Sequence, residues 1–181
     1  MDLRETVSAA QGGFENLVHK IPGYQGYKDK ELRREADRLL RMQLVDKLED
    51  QRARMPELQN DLISRVQLEF LDDLERAVMK LQILIDRIRV AAYGYAGLFD
   101  AVKVKEKELD ALYEFDNKML DFVGEIAADV DQVASAIAAG EGIREAIANL
   151  VGTMDQANQT WKHREEAMLQ VDAPLTLDSE K

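Results

Sequence analysis

The chain has 181 residues, 46% of them apolar, 6% aromatic and 33% charged, with no cysteine, three prolines and a formal charge of −11. That apolar share excludes a disordered chain, and so many charges with so few aromatics and prolines suit long surface-rich helices better than a sandwich or an α/β fold. The missing cysteines exclude disulfides and thiol chemistry.

Leu3, Val7, Ala10, Phe14, Leu17 and Ile21 recur at alternating steps of four and three, the stripe of an N-terminal amphipathic helix over residues 1–21. Gly12-Gly13 weakens that stripe by about 1 kcal/mol per glycine relative to alanine. Pro22-Gly23 stops it, so Ile21 to Tyr27 reads as a loop and the segment as an appendage or cap.

A second helix is expected from Lys28 to Arg54, with Leu32, Ala36, Leu40, Leu44 and Leu48 on a slowly drifting face. Pro56 should kink or end it, because its ring clashes with a carbonyl one turn back. A third helix, Glu57 to Ala92, carries Leu71, Leu74, Val78, Leu81, Ile85 and Ile88, and closes at Tyr93-Gly94-Tyr95-Ala96-Gly97. A fourth, Leu98 to Ala138, shows Leu109, Leu112, Asp116, Met119, Val123, Ile126, Val130, Val133 and Ile137. Gly140-Glu141-Gly142 turns the chain into a fifth, Ile143 to Gln170, with Ile147, Leu150, Met154, Ala157, Trp161 and Met168. Residues 171–181 read as a flexible tail.

The fold expected is therefore all-α: an elongated antiparallel up-down bundle of four long helices over residues 28–170, with coiled-coil-like packing and an additional N-terminal helix. Leu74, Leu81, Ile88, Leu112, Val123, Ile126, Val130 and Leu150 should be its core. The seams of the last two helices pair about Gly140 so that partner numbers sum to 280, Val130 with Leu150 and Ile126 with Met154 among them. The same sum sets Asp116, the lone charge in one seam, opposite Arg164, the lone charge in the other. Either the two meet as a structural pair, which tolerates burial and fixes register, or both reach water at the seam's edge.

Chemistry is harder to find. Neither His19 nor His163 has the glutamate three residues earlier that a ferritin-like metal site needs. The serines stand in no nucleophile motif, and Gly140-x-Gly142 lacks the strand and third glycine of a phosphate loop. No metal, cofactor or catalytic site is expected.

Two surface features stand out. Lys30, Arg34, Arg38 and Arg41 fall within about 80° on one helix face. They suit an anionic membrane or acidic partner, or else neutralise the protein's own acidic helices. Tyr24, Tyr27, Tyr93 and Tyr95 cluster in the glycine loops, either as an adaptable contact surface or as plugs for the bundle ends.

Residues 55–181 hold 25 acidic against 13 basic side chains, which argues against a nucleic-acid-binding body. The start lacks a signal peptide's basic and apolar regions, and no run nears the roughly 20 apolar residues of a membrane span, so a cytoplasmic location is expected. The function class that remains is a non-catalytic scaffold or adaptor acting through protein contacts, alone or as a homo-oligomer. The alternative is a peripheral membrane-surface protein using the N-terminal helix and the basic stripe.

Overall fold

A computed structural model describes residues 14–24, 33–91 and 106–170. Among them the elements are α1 (14–20), α2 (Arg33–Ser64), a 3-10 turn (Leu68–Phe70), α3 (Leu71–Val90), α4 (Glu106–Ala139) and α5 (Ile143–Gln170), with no strand among the described residues. The expectations for residues 1–13, the loop at Tyr93–Gly97 and the tail from Val171 lie outside the described residues.

The long helices form a bundle in which α2 packs beside α3 and α4, and α5 beside α4 and α3. Cross-helix contacts give the directions. Arg54 reaches Asp131 and Arg65 reaches the Ala138 carbonyl, so α2 and α4 run parallel. Arg144 meets Asp73 and Lys80 meets Asp155, so α3 and α5 also run parallel. Consecutive helices alternate up and down as expected, but α3 and α4 stand across a diagonal. The bundle is therefore two antiparallel hairpins, α2–α3 and α4–α5, laid side by side.

Pro56 corrects the sequence-based boundaries. It neither ends nor reverses the chain: α2 continues through it to Ser64, and the stretch assigned to the start of the third helix belongs to the second. A proline inside a helix costs about 3 kcal/mol through the lost hydrogen bond and the ring clash. Continuing the helix buries Met55, Leu58 and Leu62, at about 1.5–3 kcal/mol per large apolar side chain. Burial wins.

The reversal instead occurs at residues 64–67, without the glycine or asparagine that normally marks one. The Gln67 N–H donates to the Leu62 carbonyl at 2.8 Å and the Val66 N–H to the Ile63 carbonyl at 3.1 Å, the paired bonds of a Schellman motif. Val66 takes the left-handed position that motif requires, at φ 58°. A β-branched residue there is strained by about 1–2 kcal/mol, and Val66 is 79% exposed, so no packing offsets the strain. Val66→Gly should therefore stabilise the protein, by about 0.5–1 kcal/mol after glycine's extra unfolded-state entropy is subtracted. Urea denaturation with an unchanged m-value checks this; a loss of stability would show that the valine side chain contributes a contact.

The α4–α5 hairpin closes on Gly140 and Gly142, at φ 76° and 68°. The Gly140 and Glu141 N–H groups both donate to the Ala136 carbonyl, and the Gly142 carbonyl accepts the first bond of α5. Ile137, Val133, Val130, Ile126, Val123 and Met119 on α4 are buried, as are Ile143, Ile147, Leu150, Met154, Ala157 and Trp161 on α5. Thr153 Oγ1 donates to Asp129 Oδ2 at 2.6 Å across this seam, at the level the turn position implies. All eight residues named above as core are buried.

The described part of the N-terminal segment is no loose appendage. Leu17, Ile21 and Tyr24 are buried with the bundle core. Alpha-1 lies on a second face of α4: the Phe14 ring is 5.7 Å from that of Tyr113, Asn16 Nδ2 donates to Asn117 Oδ1 at 2.9 Å, and Lys20 pairs with Asp121. Tyr113 and Leu120, off the main α4 seam, are buried accordingly. Pro22 and Gly23 form a tight turn, with Gly23 at φ 80° and the Tyr24 N–H donating to the Ile21 carbonyl.

Candidate functional site

The most chemically distinctive place in the molecule is a buried ionic cluster joining three helices. Arg164 of α5 donates through Nε to Asp116 Oδ1 of α4 at 2.6 Å and through Nη2 to Asp37 Oδ1 of α2 at 2.8 Å. The second oxygen of Asp37 accepts Arg41 Nε at 2.7 Å, one turn along α2. Asp116 and Arg164 are 0% exposed and Asp37 is 1% exposed. The Trp161 ring lies 4.9 Å from the Arg164 guanidinium carbon, one turn before it on α5, and lends its π face to the cation.

Among the described residues the cluster's two carboxylates and two guanidinium groups balance, which is the condition under which charges tolerate burial. Both of its carboxylates are held by arginines. Its chemistry is that of a register lock. Because Arg164 reaches both α2 and α4, it fixes the level of the α4–α5 hairpin against its neighbour.

The pair set level by the sum of 280 is thus in direct contact, and neither member reaches water. Asp37 was missed by sequence reasoning because it follows Ala36 within a run assigned to the basic face. A signal was present: Asp37, Leu40, Leu44 and Leu48 share the spacing of one seam, so the aspartate stands where an apolar residue would.

Of the basic stripe, Arg38 and Arg41 are described, and each is paired with a carboxylate of its own helix. Arg41 is only 13% exposed at its side chain and belongs to the buried cluster through Asp37. Arg38 is exposed and pairs with Glu35 at 2.6 Å, which holds the Glu35 carboxyl below its usual range and raises the Arg38 guanidinium above its own. Lys30 and the Arg34 side chain lie outside the described residues. Of the loop tyrosines, Tyr24 is buried with its ring 6.4 Å from Phe14, while Tyr27, Tyr93 and Tyr95 lie outside the described residues. His19 and His163 are exposed, and no group of three metal-ligating side chains occurs among the described residues.

No known family model, curated protein or solved structure matches this chain. What the molecule offers to others has to be read from its own surface. Ion pairs such as Lys20–Asp121, Lys80–Asp155 and Arg144–Asp73 bridge neighbouring helices around the outside. Glu49 accepts hydrogen bonds from Arg52 and Arg89, which hold its carboxyl below the ordinary range. Exposed pairs of this kind contribute about 0–1 kcal/mol each, so they decorate the bundle more than they hold it. No helix among the described residues is long and apolar enough to cross a membrane.

The exposed apolar side chains are distributed unevenly. Among the described residues, eight large hydrophobics are exposed: Val18, Met42, Ile63, Val66, Leu68, Met79, Ile83 and Val90. Six of them lie between Ile63 and Val90 on the α2–α3 hairpin, and none of the eight lies on α4 or α5.

Proposed function

We propose that this protein is a non-catalytic helical scaffold of the cytoplasm that acts through protein contacts, using the α2–α3 hairpin as its contact side. The concentration of exposed apolar residues on that hairpin carries the reading. Scattered exposed hydrophobics need no explanation, whereas six of eight between Ile63 and Val90 of one hairpin make a grouping of the kind contact surfaces present. The α4–α5 hairpin, with its continuous seam and the Arg164 lock, then serves as the rigid side that holds the contact hairpin in shape. The membrane-surface alternative draws less support, since Arg38 and Arg41 of its stripe are engaged by Glu35 and Asp37.

Quantitative affinity capture from the native cell tests this. The paired substitution Ile63→Asp and Leu68→Asp alters only exposed positions at the hairpin tip, so the fold should be retained by circular dichroism. Proteins held by the parent and lost by the variant support the scaffold reading. An unchanged set of captured proteins would overturn the assignment of the contact side. Retention on anionic but not neutral vesicles would favour the membrane reading instead.

A further inference from the structure

The outward face of α3 has an order of its own. Asp72, Arg76, Met79, Ile83, Asp86 and Val90 recur at steps of four, three, four, three and four, which is a heptad seam pointing away from the core. All six are exposed, with Met79 at 61%, Ile83 at 56% and Val90 at 56%. The inward seam of the same helix, Leu74, Ala77, Leu81, Leu84 and Ile88, is buried. Alpha-3 therefore carries two seams, of which the bundle uses one.

Charge identifies what fits the second seam. Within it Arg76 lies near the start of the helix and Asp86 near the end, and beside it Asp73 and Glu75 lie in the first turns and Arg87 and Arg89 in the last. Two copies laid antiparallel about a twofold axis at Leu81 would set Met79 opposite Ile83 and Arg76 opposite Asp86. At the flanks, Asp73 would face Arg87 and Glu75 would face Arg89. These are the layers of an antiparallel coiled coil, in which Arg76 and Asp86 meet each other twice, while Asp72 falls opposite Val90 at the two outer ends. A parallel arrangement would set Arg76 against Arg76, Asp86 against Asp86 and each helix end against its own kind. A twofold interface must be complementary to itself, and this face is so in one orientation only.

We propose that the protein forms a homodimer through the outward seam of α3, packed antiparallel about Leu81. This rests on the scaffold reading and names one of its partners as a second copy of the chain. Within one copy Asp73 is half-buried and held by Arg144 at 2.6 Å and Arg76 at 3.1 Å, and Arg89 meets Glu49 at 2.7 Å and Asp86 at 3.6 Å. Arg76 and Asp86 of the seam itself are exposed and exchange partners at little cost.

Sedimentation velocity on the purified full chain across a concentration series is the test. A monomer–dimer equilibrium is expected, and a monomer at every concentration would overturn the proposal. Asp86→Arg alone and Arg76→Asp alone each place like charges across the seam and should weaken the dimer by about tenfold or more. The double variant Arg76→Asp with Asp86→Arg should recover most of the parent affinity. A dimer indifferent to both single changes would put the interface elsewhere and overturn the proposal.

Because the chain has no cysteine, orientation can be read directly. A Met79→Cys chain mixed with an Ile83→Cys chain should form a mixed disulfide dimer in preference to either self-pair, whereas preferential self-pairs would indicate the parallel arrangement and overturn the antiparallel one. A monomeric result alongside retained capture of other proteins would remove the homodimer and leave the scaffold reading standing. Loss of both would remove the two together.

Discussion

Replacing Arg164 with leucine should cost about 3–5 kcal/mol of stability, enough to unfold a marginal domain, even though leucine is the more apolar side chain. The reason is what the substitution leaves behind. Asp116, 0% exposed, would lose the Arg164 Nε contact at 2.6 Å, and Asp37 would keep only Arg41. Two buried carboxylates, one of them stripped of its arginine, would then share a water-poor site. Replacing Asp116 and Arg164 together by apolar residues of matching size leaves the Asp37–Arg41 pair intact and should be far milder, near neutral or stabilising, because desolvation of the buried ions largely cancels their attraction. Urea denaturation of the Arg164→Leu chain and of the double variant separates the two. A double variant as unstable as the single one would mean that the pair contributes net stability and not mainly register.

The second large effect is expected at Ile126, which is 0% exposed on α4 and level with Met154 of α5, also 0% exposed. Ile126→Ala removes transfer free energy and leaves a cavity, and such changes cost about 2–5 kcal/mol in a tight core. Met154 is unbranched and can lean into part of the gap, which favours the lower half of that range. Met79→Ala on the outward face of α3 supplies the contrast, because an exposed site should stay within about 0.5 kcal/mol in the monomer. A cost below half a kcal/mol at Ile126 would say that the α4–α5 seam is loosely packed. The same pair of variants also separates folding from assembly: only Met79→Ala should alter sedimentation without altering the monomer's unfolding curve.

Much of the α4–α5 hairpin was legible in the sequence because everything that shapes it is local. Heptad spacing sets which side chains share a face, and the fixed rise of a helix sets their levels. Two glycines with positive φ fix the turn between them. Two seams running from one turn therefore determine their own register, down to the Asp116–Arg164 contact. The bounds of α5, Ile143–Gln170, follow from the same glycine turn and the apolar run after it.

What only the tertiary structure decided lies where local rules compete with burial at a distance. Pro56 signals a break by its own chemistry, and the helix passes through because Met55, Leu58 and Leu62 find a core that no local pattern shows. The reversal then falls on Val66, a residue that local preference would keep out of the left-handed region. Asp37 looked like part of a polar face until α5 brought Arg164 to it across the bundle. The side-by-side placing of the two hairpins, with α2 parallel to α4, is of the same kind. Spacing along one helix determines which face is apolar, whereas the choice of neighbour is made by the summed burial of many side chains from helices far apart in the chain.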